Sequence, residues 1–194
     1  MNYDNINEKL SNGRSILLDG GIGTEVMRRG VRWRQHGIED APDVIRDIHM
    51  DYLDAGVDVL TTHTFNLTKR NFINFFRDAE HMSLIGPAGL STKAMELCHA
   101  AVSLAKEALA QTGKTETIPL AGSIAPVMHL FRPDLSPSKN DCLTHHSECV
   151  EILSDCGVDL IFFEGMNNTR EAQAALQAAA EFDLPVWISF VPGM

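Results

Sequence analysis

The sequence predicts an α/β domain built on a parallel sheet, and three observations carry that expectation. Five short runs rich in β-branched and aliphatic residues are apolar on both faces, as strands covered on two sides require. Segments with helical periodicity lie between them. Two of those segments end in the same phrase, Ala55-Gly56-Val57-Asp58-Val59-Leu60 and Cys156-Gly157-Val158-Asp159-Leu160-Ile161, which reads as helix end, glycine and strand. Strand–helix alternation of this kind builds either a barrel or a doubly wound layer.

The elements follow in order. The first strand is expected at Ile16–Gly21 and the second at Val57–Phe65, with a helix over Pro42–Asp54 between them. In that helix Ile45, Ile48 and Tyr52 recur at helical spacing, and Pro42 suits the first turn. A helix over Ser91–Ala110 places Ala94, Leu97, Ala101, Leu104, Ala105 and Ala108 on one face, ahead of a third strand at Ile118–Pro126. A helix over Asp141–Cys156 leads to a fourth strand at Val158–Glu164. The last helix, Thr169–Phe182, opens with Asn168 and carries Glu171 three residues on, a capping-box pattern, and a fifth strand follows at Pro185–Phe190. Five units are too few for an eight-fold barrel. The run Val191-Pro192-Gly193-Met194 falls where the next helix should begin, so a truncated domain is expected.

Composition narrows the function. The 194 residues suffice for one domain with its own core, and 44% hydrophobic with 22% charged residues is ordinary for a globular chain. A formal net charge of −10 disfavours nucleic acid as a partner. The cluster Arg28, Arg29, Arg32 and Arg34 reads as a solvated loop face. Met1–Arg14 lacks the apolar stretch of a signal peptide, and no run approaches the length of a membrane span. Four cysteines do not make a disulfide framework, which points to a reducing cytoplasm.

In parallel architectures, chemistry gathers where strands end. Asp19 and Glu164 each close an apolar strand, where a carboxylate must find a cation or hydrogen-bond donors. Two such groups at one mouth would suit a substrate ammonium; alternatively each accepts N–H bonds from its own loop. Gly20, Gly21 and Gly23 would let backbone amides approach a ligand, or would simply form a tight turn. His63 could serve as acid, base or ligand, although a single strand histidine is more often structural. Cys142, His146 and Cys149 share one helical stripe that superficially resembles a metal site. That stripe is the face expected to pack on the sheet, so core packing is the preferred reading and no metal ligand is assigned.

The strand-end phrases together resemble the homocysteine S-methyltransferase family, whose homocysteine-binding domain also forms the first module of cobalamin-dependent methionine synthases. Leu18-Asp19-Gly20-Gly21-Ile22-Gly23-Thr24-Glu25 is similar to the opening D-G-G-M-G-T-E. Asp54-Ala55-Gly56-Val57-Asp58 and Thr62-His63-Thr64-Phe65-Asn66-Leu67-Thr68 resemble A-G-A-D and T-N-T-F-N-A-T. Gly122-Ser123-Ile124-Ala125-Pro126 resembles G-S-I-G-P, and Gly157–Glu164 resembles G-V-D-L-L-x-x-E. Pro185–Phe190 matches the fifth strand, so the resemblance runs from about Ile16 to the end in family order.

The resemblance implies a TIM-type (β/α)8 barrel with about five βα units in this chain, as residues 16–194, after an N-terminal polar segment, 1–15. It implies methyl transfer from a donor to the thiol of homocysteine, giving methionine. Asp19 and Glu164 would contact the substrate ammonium, and backbone around Gly20, Gly21 and Thr62 its carboxylate. It also implies zinc for the complete domain, held by cysteines after the sixth strand and at the eighth, because a free thiol near pKa ~8.5 is mostly protonated at neutral pH. Cys98, Cys142, Cys149 and Cys156 match none of those positions, so the chain alone is expected to bind no zinc and to be inactive. Gly165 replaces the usual threonine after the glutamate and His63 an asparagine. Asn66 stands where the betaine-using branch has an aromatic residue, which argues against betaine as donor. A Schiff-base aldolase is disfavoured because every lysine lies outside the five strands. The alternative is a non-catalytic fragment that binds an amino acid weakly or pairs with another polypeptide, with open strand edges offering a surface for self-association.

Overall fold

The computed structural model describes residues 3–32, 35–70 and 89–191. Arg34 and the terminal Pro192–Met194 lie outside the described residues. The sheet has four parallel strands in chain order: β1 (Leu60–Thr61), β2 (Leu120–Ile124), β3 (Leu160–Met166) and β4 (Val186–Phe190). Six α-helices are described: α1 (Asp4–Ser11), α2 (Ile22–Arg28), α3 (Pro42–Asp54), α4 (Leu90–Gln111), α5 (Lys139–Asp155) and α6 (Thr169–Ala179). Pro42 opens α3, and the side chains of Ser138 and Asn168 cap α5 and α6 by accepting the amides of Asp141 and Glu171. Gly56 and Gly157 take left-handed φ of 87° and 70° just past α3 and α5, where any side chain would be strained.

Two expectations need correction. Ile16–Gly21 is not a strand in its own right: a single parallel bridge joins Leu18 to Val59. The Asp58 carboxylate takes the Leu17 N–H at 3.0 Å, so a side chain stands in for a ladder carbonyl. The segment is also bare on its outer side among the described residues, with Leu17 53% and Leu18 38% exposed. The second correction concerns Val57–Phe65, where the strand is confined to Leu60–Thr61. The polar segment 1–15 carries α1, whose Ile6 is buried against Val59, Ala121, Leu160 and Phe162, closing the N-terminal end of the inner sheet face. Tyr3 accepts a 2.7 Å hydrogen bond from the Trp187 indole, and Lys9 pairs with Asp58.

Strict alternation along the strands divides the core. Leu60, Leu120, Ile161 and Phe163 face outward into the layer of helices, where Leu53, Ala105, Val150 and Ala175 meet them. Full burial of side chains such as Leu120 and Phe163 contributes about 1.5–3 kcal/mol each. Val59, Ala121, Phe162 and Trp187 face the other way, into the lumen. Near its end β3 breaks the alternation. Phe163 pairs with Ile188 but Met166 with Phe190, so β3 carries one extra residue, a bulge at Glu164-Gly165.

A candidate active site at the carboxyl ends of the strands

Inward alternation carries Thr61, Ser123 and Glu164 to the lumenal mouth, and the end of the first segment adds Asp19. Asp19 Oδ2 accepts the Thr61 N–H at 2.7 Å, and the Thr61 hydroxyl lies 3.0 and 2.9 Å from the two carboxylate oxygens. Glu164 Oε2 accepts the Ser123 hydroxyl at 2.9 Å. Burial is the main cause that lifts Asp19 to about 6; the bonds from Thr61 oppose it, and the negative charge of Glu164 adds to it. A half-buried pair of this kind favours a cation between its members.

The flanking backbone is shaped by close contacts. A Cβ at Gly20 would stand 2.6 Å from the Tyr52 hydroxyl, so a larger residue would have to displace that side chain from the turn. Burial, then the charges of Glu25 and Asp19, push the Tyr52 phenol up. At Gly165 φ is +74°, and a Cβ would meet Leu130 Cδ1 at 2.5 Å. The Gly165 N–H donates to the Ser189 hydroxyl at 2.9 Å.

Thr62 is placed differently from Thr61. Its N–H donates to Ala121 O at 2.9 Å. Its hydroxyl accepts the Ser123 N–H at 3.1 Å and lies 2.6 Å from Thr64 Oγ1, which itself donates to Ser123 O. The Thr64 proton is thus used, so Thr62 donates to Thr64, and its polar groups brace β1 against β2. His63 is also internal, with Nε2 2.9 Å from His36 O. The structure therefore brings Asp19, Gly20, Gly21 and Glu164 to one mouth and sets Thr62 behind it.

The cysteine stripe lies on the far side of the sheet. Cys142 and His146 are fully buried, and His146 Nε2 stands 3.3 Å from Glu171 Oε1 while its ring meets Phe163 edge-on. Cys98, Cys149 and His145 line a cleft between α4 and α5. Burial pushes the Cys98 thiol up to about 12 and the Cys149 thiol up as well. Among the described residues no three His, Cys, Asp or Glu side chains are grouped to hold a metal ion.

The sequence profile of a family described as homocysteine S-methyltransferase matches residues 16–193. The chain belongs to this family. The homocysteine S-methyltransferase of Escherichia coli (strain K12) is 30% identical over 189 residues, covering 90% of this chain and 58% of that protein. A selenocysteine methyltransferase of Astragalus bisulcatus is 28% identical over 204 residues, covering 92% of this chain and 59% of that one. The crystal structure of the E. coli homocysteine methyltransferase MmuM in its metallated form superposes with a TM-score of 0.74 at 26% identity, over 94% of this chain and 65% of that one. The chain thus spans less than two thirds of the length of these relatives, and its parallel α/β sheet is part of the homocysteine S-methyltransferase barrel. Within that frame, sequence reading passed over Thr61, Ser123 and Tyr52. Counting alternate residues from Val59 and Ala121 would have pointed to the first two, whereas Tyr52 reads as an ordinary helix-face residue.

Proposed function

We propose that this chain supplies the amino-acid-binding part of a homocysteine S-methyltransferase, with Asp19 and Glu164 receiving the substrate ammonium. The observation that carries the reading is the placement of two carboxylates at the ends of neighbouring elements, each oriented by a hydroxyl from the adjacent strand. An ammonium between them offsets their repulsion and replaces the water both give up on burial. The exposed backbone of Gly20 and Gly21 is then the nearest peptide to a substrate carboxylate, and Thr62 contributes by bracing Ser123. The acceptor is homocysteine, the reaction transfers a methyl group from a donor to its thiol, and the product is methionine.

Zinc chemistry, which the family resemblance implies, is not supplied by these residues. The buried thiols of Cys98 and Cys142 sit behind the sheet, away from the carboxylate pair, and no metal-holding group exists among the described residues. No described helix is long and apolar enough to cross a membrane.

Titration of homocysteine into the protein and into Glu164→Gln tests the reading. The variant keeps the shape and the Ser123 contact but removes the charge. Loss of a charged hydrogen bond costs about 1.5–3 kcal/mol, so affinity should fall about tenfold or more. Equal affinity would assign Glu164 a structural role.

A further inference from the structure

Directly after Glu164, two apolar side chains, Leu130 and Val191, lie against Gly165. Phe163 and Met166 both face outward, so the bulge leaves both Glu164 and Gly165 on the lumenal side. Gly165 offers no side chain there. Its place is taken by Leu130, whose Cδ1 lies 2.5 Å from where a Cβ would be, with Val191 Cγ2 at 3.5 Å. Leu130 comes from the connection after β2, whose backbone is anchored on either side of it. Asn167 Nδ2 donates to the carbonyls of His129 and Leu130 at 3.0 and 3.1 Å. Glu171 grips both ends of the same connection, accepting the Val127 N–H and the Ser136 hydroxyl, each at 2.6 Å. Burial works against the Glu171 charge, but contacts from His146, Ser136 and Val127 hold the carboxyl down at about 2.

We propose that Leu130, laid over Gly165 next to Glu164, is a specificity-determining residue that selects unbranched α-amino acids. The inference rests on the ammonium-binding reading of Asp19 and Glu164. A substrate whose ammonium meets Glu164 brings its α-carbon and first methylene against the neighbouring wall. A straight chain passes Leu130 and Val191 in van der Waals contact, while a methyl branch at the β-carbon collides with Leu130. Because the connection is clamped by Asn167 and Glu171, the wall cannot simply swing away to admit the branch. Discrimination here is a matter of packing, where one methyl group is worth about tenfold or more in binding.

The test is calorimetric titration with homocysteine, norleucine and its β-branched isomer isoleucine. Wild type should bind homocysteine and norleucine and discriminate at least about tenfold against isoleucine. Leu130→Ala should narrow the norleucine-to-isoleucine ratio by about tenfold, and Leu130→Met should restore it. A Leu130→Ala protein that weakens for all three ligands by one common factor would show that Leu130 only supports the fold, and would overturn the proposal. An unchanged ratio would overturn it too. If wild type binds none of the three, the ammonium-site reading itself fails and the wall has no substrate to select, a result distinct from binding without discrimination.

Discussion

Asp19 concentrates the electrostatics of the mouth in one group. Its carboxyl rises from 3.8 to about 6 in the folded chain, through burial and the neighbouring Glu164 charge against the bonds from Thr61. A cation must meet it ionised, so amino-acid affinity should drop as pH falls through about 6 and level off above it; Asp19→Asn should lose that step. The stability sign is opposite. A raised folded value contributes stability that is complete below 3.8 and lost as pH rises through about 6, so the same variant should hold stability better above pH 7. Denaturant melts at pH 5 and 8 would check it, and a variant with an unchanged difference between the two would show Asp19 to be solvated. Asp19 and Glu164 could be singled out from sequence because a carboxylate closing an apolar strand needs a partner. Motif position points to backbone around Thr62, whereas the pleat decides that the Thr61 side chain is the one that meets Asp19.

Between β3 and α6 the chain stores its constraints in short features. Gly165 combines a φ of +74° with an absent Cβ that Leu130 occupies. Gly165→Ala should cost about 1–3 kcal/mol, through left-handed strain and overpacking together, measured as a shift in denaturation midpoint. Glu171 is 1% exposed and bonds to residues 127 and 136. Glu171→Ala should cost about 3 kcal/mol or more, because the Val127 amide and Ser136 hydroxyl lose their acceptor inside the fold. The folded value is depressed from 4.5 to about 2, so its contribution is present above 4.5 and lost as pH falls toward 2. Sequence showed Glu171 as the partner of Asn168 in a helix start, and the cap is there: Asn168 accepts the Glu171 N–H at 2.9 Å. The carboxylate, however, reaches across to the connection after β2. Local pattern carries no record of a contact spanning 44 residues.

For the molecule as one body, buried histidines dominate the acid limb. Burial lowers His36 to about 4, His49 to about 3 and His145 to about 4, with neighbouring histidines adding to it. Depressed folded values mean stability is complete above about 6.5 and is lost as pH falls through about 4, at up to about 1.4 kcal/mol per pH unit for each proton taken up on unfolding. Asp19 opposes this with a single proton over part of the same range, so the net slope should be downward toward acid. Thermal melts between pH 7 and 4.5 read it directly, and a midpoint that rises toward acid would contradict it. The sheet edges make a second forecast. Leu17 is 53% and Phe190 56% exposed, on segments paired on one side only among the described residues. The polypeptide should self-associate in sedimentation experiments, and Leu17→Lys with Phe190→Lys should reduce it. A monodisperse monomer of wild type would remove the idea.

The helices and four of the five expected strands are legible in order, because period and punctuation are local. Doubly apolar runs, Gly56 and Gly157 after helices, and the family phrases from Leu18 to Phe190 all lie within a few residues of what they specify. The carboxylates at strand ends are legible in the same way. How those ends combine is set by packing between elements distant in the chain. The Ile16–Gly21 run became a single bridge because Asp58 takes a ladder amide and nothing described covers its outer side. Residues 4–11 became the plug of the lumen because Ile6 finds apolar cover only on the assembled inner face. The extra residue at Glu164-Gly165 lets Leu130 lie against β3, since the register of β3 against β4 is settled by both strands and not by either one.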